Sequence, residues 1–281
     1  MTVRIVTDST CDLPRSRREE AGVVTVPLRL HFGDQEFRDR VDLDDAEFVR
    51  RLSQSRTPPR TSQPPPGDFE AVYRELLADP DAEIVSIHIA AALSGTVGSA
   101  SVAAAAVGPE RIHVVDSRTV SMGTGLQVLA AMELAGQGMG AAEIVKELAG
   151  MPTRTGIVCL LDTLRYLQLG GRIGKVQAML GSALSIKPLI GLGEDGAVVP
   201  AGRVRSRGAG LRRLSELLLE HRPLARCGVL YVGDRGDAEH LLTNARGTFP
   251  EMDVIIQHAS PVISSHCGPG TVAYVYLEAR A

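Results

Sequence analysis

The chain has 281 residues, of which 44% are hydrophobic and 22% charged, and its formal net charge is −3. A chain of this length and composition can bury a large core and lies near the size at which one core splits into two. The slight negative charge creates no basic field, which disfavours nucleic acid and acidic lipid as partners.

The cysteines and the N-terminus predict the compartment. Four widely spaced cysteines occur, at Cys11, Cys159, Cys227 and Cys267. They form no C-x-x-C pair, and free thiols are typical of a reducing compartment. The N-terminus enters a strand without a leader, and no apolar run approaches the ~20 residues that cross a bilayer. These patterns predict a soluble, cytoplasmic protein.

Strands and helices alternate in the N-terminal half. Strands are predicted at 3–6, 84–89 and 112–117, an edge strand at 23–30, and helices at 42–53, 68–77, 96–107, 121–135 and 141–148. This alternation predicts a largely parallel sheet with helices on both faces. The proline-rich stretch 57–67 is predicted to be an extended loop that holds Thr61 and Ser62 in place.

A second α/β unit is predicted after the segment 150–153, which divides the chain into domains 1–150 and 151–281. Strands are predicted at 155–161, 184–192, 198–204, 227–232, 254–256, 261–265 and 271–277, and helices at 163–168, 208–221 and 237–249. A glycine-rich turn at 170–174 is predicted to open a further helix that ends near 180.

The turn 93–96 is a candidate anion site. Ser94 and Thr96 lie where a predicted strand turns into a predicted helix, whose first turn has unpaired N–H groups and a partial positive charge. The alternative is that Ser94 only caps the helix, a role that serine often fills.

The remaining candidates are hydroxyls and one histidine: Ser9, Thr61, Ser62, Ser94, Thr96, Ser121 and His266. Each alone fits a structural role, for example Ser121 as a helix cap and His266 as a core histidine between two strands. The chain has no phosphate-binding loop, no H-E-x-x-H motif and no nucleophile elbow. Hydroxyls near helix N-termini, together with an imidazole, suit the holding of a carboxylate better than the cleavage of a bond.

A series of short motifs runs from one end of the chain to the other: Thr7-Asp8-Ser9-Thr10, Asp12-Leu13-Pro14, Thr61-Ser62-Gln63-Pro64, Leu93-Ser94-Gly95-Thr96, Asp116-Ser117, Ser121, Gly123, Gly125, Tyr166-Leu167, Gly170-Gly171-Arg172-Ile173, Ile186-Lys187-Pro188, Arg203-Val204-Arg205, His266 and Gly268-Pro269-Gly270. In this order and spacing the chain resembles the DegV family, whose members are the fatty-acid-binding subunits of bacterial fatty acid kinase. The resemblance implies an N-terminal three-layer α/β/α domain with a mostly parallel sheet, a second α/β domain, and a ligand tunnel between them.

The resemblance also implies a site for a long-chain fatty acid. In the family, hydroxyls that fall here on Thr61 or Ser62 and on Ser94 hold the carboxylate, with His266 nearby and the acyl tail in an apolar tunnel. The residues assigned to the carboxylate are Thr61, Ser62, Ser94, Gly95, Thr96, His266 and Gly268. The chain departs from the family at Ala90-Ala91-Ala92, at Val97-Gly98 and at Cys267, changes that surround the headgroup rather than contact it.

A separate ATP-dependent kinase is the implied protein partner, in a role within phospholipid metabolism. It phosphorylates the bound carboxylate to an acyl phosphate, so this chain is expected to present substrate without being an enzyme and without a cofactor, a metal or stable membrane insertion. Contacts to the phosphate or the kinase are assigned to Arg172, Arg203 and Arg205.

Two other interpretations stay open from the sequence. One is a serine hydrolase or acyltransferase that uses Ser94 and His266, with Asp8 or Asp116 as the orienting carboxylate. The other is a sensor whose lipid occupancy another protein reads, which requires the same pocket.

Overall fold

The computed structural model describes residues 2–55, 57–179, 186–221 and 223–280. The strands are β1 (Thr2–Asp8), β2 (Val24–Val26), β3 (Arg29–Phe32), β4 (Gln35–Arg38), β5 (Arg60–Ser62), β6 (Ala82–His88), β7 (Ile112–Asp116), β8 (Thr155–Leu160), β9 (Lys187–Leu192), β10 (Val198–Val204), β11 (Leu224–Tyr231), β12 (Ile255–His258) and β13 (Val272–Glu278). The helices are α1 (Arg15–Glu20), α2 (Asp45–Gln54), α3 (Pro66–Leu76), α4 (Thr96–Val107), α5 (Met122–Gly136), α6 (Ala141–Leu148), α7 (Arg165–Leu169), α8 (Arg207–Glu220), α9 (Gly236–Thr248) and α10 (Pro261–Cys267). None of the helices in these ranges has both the length and the apolar character needed to cross a membrane.

The first sheet has the order β2-β1-β6-β7, and all of its strand pairs are parallel. Phe69 and Tyr73 of α3 pack with α4 against one face, whereas Leu126 of α5 and Ile144 of α6 pack against the other. Because both faces are covered, residues 5–8 of β1 and most of β6 are buried, including polar side chains such as Thr7 and Ser86. The predicted parallel sheet with helices on both faces is confirmed.

The second sheet is mixed and has the order β10-β9-β8-β13-β11-β12, in which β11 and β12 are the parallel pair. Leu214 of α8 and Leu241 of α9 cover one face. The other face contributes Ile157 and Ala273 to the same core cluster as Leu126 of α5, so α5 packs between the two large sheets. The chain passes from one sheet to the other through the segment that joins α6 to β8, and the domain limits at 150 and 151 stay a prediction.

A third, small sheet has the order β4-β3-β5 and is antiparallel. Leu30 of β3 packs with Phe48 of α2 and Val262 of α10, which places the small sheet beside α10. The prediction of an extended loop over 57–67 was wrong here, because this stretch contains β5 and the first residues of α3. Pro66 stands at the first position of α3, where proline's fixed φ suits a helix and its missing N–H costs nothing.

The predicted strand over 261–265 was also wrong, because these residues begin α10. Pro261 occupies its first turn, and the Ser260 hydroxyl accepts a hydrogen bond from the Ile263 N–H at 3.3 Å, which caps the helix. His266 therefore lies in the last turn of a helix and not between two strands.

Two further predictions near the glycine-rich turn differ from the structure. Residues 174–179 form a 3-10 helix, and the predicted end at 180 lies outside the described residues. The strand predicted over 184–192 begins at Lys187, and 184–185 also lie outside the described residues.

Candidate functional site

A cavity lies where the three sheets approach one another. The empty volume between its walls is about 950 Å³, part of which is open solvent. Much of its wall is apolar and comes from Ile157, Ile190 and Leu230 of the second sheet, together with Ile89 and Val120 beside the first. Its polar side chains include Thr61, Ser62, Gln63, Ser94, Arg172 and His266. A long apolar wall with a few convergent polar groups suits a ligand that has an apolar body and one polar end.

Thr61 and His266 form the first polar pair of the cavity. The Thr61 Oγ1 atom lies 2.8 Å from Nε2 of His266. Burial, reinforced by the positive charge of Arg172, lowers the pKa of His266 to about 4, so the ring is neutral near pH 7. Its buried Nδ1 atom has no hydrogen-bond partner among the described residues. We therefore assign the ring proton to Nε2, which donates to Thr61 and leaves the threonine hydroxyl hydrogen free to donate into the cavity.

Ser62 has a different histidine partner. Its Oγ atom lies 3.0 Å from Nε2 of His31, which is on the neighbouring strand β3. Successive side chains of a strand point to opposite faces, which explains why Thr61 meets α10 whereas Ser62 meets β3. Both hydroxyls nevertheless line the cavity. His31 was missed in the sequence because the assignment of 57–67 to a loop concealed the pairing of β3 with β5.

The turn before α4 contributes Ser94. The Ser94 Oγ atom lies 2.8 Å from Thr96 Oγ1 and accepts a longer hydrogen bond, 3.4 Å, from the Thr96 N–H. The residue at the cap position is Gly95. A Cβ atom added to Gly95 would lie 2.7 Å from Nε2 of Gln63, so the glycine permits the close approach of that side chain. Thr96 is buried beneath the turn and does not line the cavity.

Arg172 places a positive charge beside this turn. Its Nε–H donates to the Leu93 carbonyl at 3.1 Å, and Nη1 donates to the Gly170 carbonyl at 2.7 Å. Arg203 and Arg205 are exposed near the end of β10 and do not line the cavity.

Gly268 also stands outside the cavity wall, where it ends α10 with φ of 78°. A Cβ atom there would lie 2.2 Å from the Tyr166 ring, so Gly268 permits the packing of α7 against α10. The structure thus brings Thr61, Ser62 and Ser94 together with His266 and Arg172 at one cavity. It leaves Gly95, Thr96, Gly268, Arg203 and Arg205 outside the lining.

The hydrogen bonds do not support the serine hydrolase interpretation. Among the described residues, Ser94 has Thr96 as its side-chain partner, and His266 has Thr61. Asp8 is fully buried against His88 at 3.1 Å, and Asp116 accepts hydrogen bonds from backbone N–H groups. A nucleophile needs a base within hydrogen-bond reach and an orienting group beyond the base, and this arrangement is absent between Ser94 and His266 in the described part of the chain.

The apolar wall was not identified residue by residue from the sequence. It includes Cys159 and Cys267, and burial raises the pKa of Cys267 to about 12, so that thiol is uncharged and behaves as a small apolar group. For strand positions such as Ile157 and Cys159 the sequence signal is alternation, which marks an inward face but not a cavity, whereas Cys267 lies in α10, which was not predicted.

A family model described as an uncharacterised protein of the DegV family matches residues 2–279. The chain belongs to the DegV family. A DegV domain-containing protein of Deinococcus radiodurans is 37% identical over 283 residues, which cover 99% of each chain.

Solved structures of the DegV family have the same fold. A DegV family protein from Thermus thermophilus, described by its fatty acid binding, is 35% identical with a TM-score of 0.92 over 99% of this chain and 100% of that one. DegV of Bacillus subtilis, described as a fatty acid binding protein, is 30% identical with a TM-score of 0.89 over 99% of each chain. The α/β architecture of this chain, with its parallel first sheet and its further sheets, is therefore that of the two-domain DegV proteins.

Proposed function

We propose that this protein binds a long-chain fatty acid, with its tail in the cavity and its carboxylate at the cluster of Thr61, Ser62, Ser94 and His266. The observation that carries the proposal is the single cavity wall that combines a long apolar surface with this cluster and with Arg172. The fatty-acid-binding relatives from Thermus thermophilus and Bacillus subtilis support it, because their folds match almost the whole chain.

The acyl tail supplies most of the affinity. Burial contributes about 0.8 kcal/mol per methylene group, so a chain of about 15 methylenes gains on the order of 12 kcal/mol before the costs of ordering and association. The polar cluster then orients the ligand and rejects apolar molecules without an acid group.

The carboxylate needs hydrogen-bond donors. In the proposed arrangement, neutral His266 donates to Thr61, and the Thr61 hydroxyl hydrogen turns toward the ligand. Ser94 supplies a second hydroxyl, and the charge of Arg172 favours the anion over the neutral acid. Gly95 and Thr96 shape the turn that holds Ser94, and Gly268 supports α10 and hence His266.

The carboxylate end is proposed to be presented to a separate ATP-dependent kinase, which forms an acyl phosphate. A surface depression lined by Ala91, Ala92 and Gly95 shares Leu93, Ser94 and Arg172 with the cavity wall, which supports access from outside. Arg203 and Arg205 are exposed and available to an acidic surface or a phosphate, as the proposed kinase contact requires. In this role the chain binds substrate and contributes no catalysis or nucleotide site of its own.

Native mass spectrometry of the purified protein, followed by denaturing extraction, tests the proposal. We expect an excess mass that resolves on extraction into fatty acids of the palmitate and oleate class. A protein that is bare and stays bare after incubation with palmitate and oleate would contradict the proposal. Formation of acyl phosphate from the loaded protein by a fatty acid kinase with ATP tests the presentation role, and a sensor would bind the same lipid without supporting that reaction.

A further inference from the structure

Ser62 belongs to a three-residue chain that continues to the surface of the small sheet. His31 Nε2 lies 3.0 Å from the Ser62 hydroxyl, and His31 Nδ1 lies 3.8 Å from Oε2 of Glu36 on strand β4. The His31 side chain is 27% exposed and that of Glu36 is 57% exposed, so the chain leads from the cavity wall to solvent. Ser62 and Glu36 thus face the two nitrogens of one imidazole ring.

We propose that His31 is a positioning residue that, together with Glu36, sets the direction of the Ser62 hydroxyl and makes the binding of a carboxylate ligand depend on the charge of His31. The inference rests on the proposed fatty-acid function and adds a regulatory property to the same site.

The two protonation states of His31 give Ser62 opposite roles. When the ring is protonated, both nitrogens are donors, so Nε2–H donates to Ser62 and the serine hydrogen is free to donate to the ligand. When the ring is neutral, Glu36 favours the proton on Nδ1, and Nε2 then accepts the Ser62 hydrogen. The Ser62 lone pairs are left facing the cavity, where they repel a carboxylate.

The charges around His31 come from each element packed beside it. On its own strand, Arg29 pairs with Glu36 at 3.3 Å and with Asp68 of α3, so Glu36 is held near the imidazole by a second cation. Arg60 stands opposite His31 in the register of β3 and β5 and is exposed. In the described part of the chain, Glu36 is the carboxylate near the ring, 3.8 Å from Nδ1, and it forms an ion pair with His31 when the ring is protonated. Its negative charge favours the proton on Nδ1 when the ring is neutral.

The expected dependence on pH has a definite sign. Protonated His31 favours the anionic ligand, so binding is tighter on the acid side and weaker on the alkaline side, where the ring is neutral. The loss of one donor to a charged group corresponds to a change of roughly tenfold in the dissociation constant.

The test is the dissociation constant of laurate as a function of pH, with 1-dodecanol as a ligand of the same length without charge. We expect wild type to bind laurate about tenfold more weakly at the alkaline end than at the acid end, and dodecanol with no such step. His31→Gln carries a permanent N–H donor for Ser62, so it should bind tightly and without the step. Glu36→Gln should reduce the size of the step, because the proton of the neutral ring is then no longer favoured on Nδ1.

Two further variants distinguish a role of His31 in positioning the Ser62 hydroxyl from a general loss of structure. His221 forms a comparable pair with Glu278, at 2.8 Å, away from the cavity, so His221→Gln should keep the wild-type profile. Ser62→Ala should bind weakly at every pH. A wild-type step that persists in His31→Gln, or that appears equally with dodecanol, overturns the role of His31. A wild-type protein that binds neither laurate nor palmitate overturns the proposed function instead.

Discussion

The hydroxyl of Thr61 lies 2.8 Å from Nε2 of His266, so strand β5 and helix α10 are joined at the wall of the cavity. The two residues are 205 positions apart in the chain. Because the imidazole is neutral and its other nitrogen has no partner among the described residues, we assign the ring proton to Nε2, which donates to Thr61. The geometry of the proposed headgroup site therefore depends on the packing between the small sheet and α10.

Ser94→Ala tests the proposed carboxylate contact. We expect a loss of roughly tenfold or more in palmitate affinity, since a hydrogen bond to a charged group is removed, with no change in the unfolding transition. Isothermal titration and thermal unfolding measure the two quantities. Ser101→Ala, on the exposed side of α4, is the matched control and should behave as wild type. If Ser94→Ala binds palmitate as tightly as that control, Ser94 does not hold the headgroup.

Gly170→Ala tests the position of His266. A Cβ atom at this glycine would lie 2.2 Å from Nδ1 of His266, so the ring must move and its contact with Thr61 is expected to break. We predict weaker palmitate binding with the secondary structure retained, measured by titration and circular dichroism. Gly136→Ala, where an added Cβ atom meets nothing within 4 Å, is the control. Unchanged affinity in Gly170→Ala would show that the ring position is not important for the ligand.

His266→Gln tests the buried neutral imidazole through stability. The folded-state pKa of about 4 is below the ordinary value of 6.5, so the unfolded chain binds more protons between these values, and stability is lost as the pH falls through this range. We expect wild type to lose about 1 to 3 kcal/mol from this group between about pH 7 and about pH 4, and His266→Gln to lose correspondingly less. Urea unfolding at the two pH values measures the difference. An identical loss in both proteins would contradict the assignment.

Asp39→Asn tests a buried carboxyl beside the small sheet. Asp39 is fully buried, accepts a hydrogen bond from Ser9 at 2.7 Å, and has one oxygen without a partner among the described residues. Burial raises its pKa to about 7, against the opposing effect of Arg40. The unfolded chain ionises at lower pH than the folded one, so this group reduces stability as the pH rises from about 4 to about 7.

We therefore expect Asp39→Asn to be more stable than wild type by about 1 to 3 kcal/mol at about pH 8, and to lose that advantage at about pH 4. Urea unfolding at both pH values provides the measurement, and Asp34→Asn, at an exposed turn, is the control. A variant that is less stable than wild type at the higher pH would show that the Asp39 carboxyl is ionised in the folded protein.

The elements that could be predicted from the sequence are those in which the spacing of apolar residues fits one type of secondary structure. Strand β6 contains Ile84, Val85 and Ile87 in one short segment, which is buried because helices cover both faces of its sheet. Helix α6 was placed at 141–148 because its apolar residues recur at helical spacing. Helix α10 was missed because Pro-Val-Ile-Ser-Ser is too short for its period to be read, and its cap at Ser260 was assigned no role. Short apolar runs are ambiguous between helix and strand unless their flanking residues are read as caps.

Several residues named from the sequence lie at one cavity, although their pairings were not predicted and their role in holding a carboxylate stays a prediction. Thr61, Ser94 and His266 were named from the sequence, and the structure places them at one cavity. The histidine that meets Ser62 was not identified, because hydrogen bonds between strands depend on a register that composition does not reveal. The domain limits and the roles of Arg203 and Arg205 stay predictions.

Thr61 and Ser62 point to opposite faces of the small sheet. The number of residues that precede β5, rather than the chemistry of the side chains, therefore determines which hydroxyl meets which histidine. Deletion of one residue before β5, with a shift of the strand register by one position, would turn Thr61 away from α10 and toward His31 of β3. The same shift would turn Ser62 toward α10. Two similar hydroxyls would then exchange partners: one histidine that is neutral and buried, and another that reaches solvent. The prolines on both sides of β5 have a fixed φ angle, which restricts such a shift and so keeps each hydroxyl beside its own histidine.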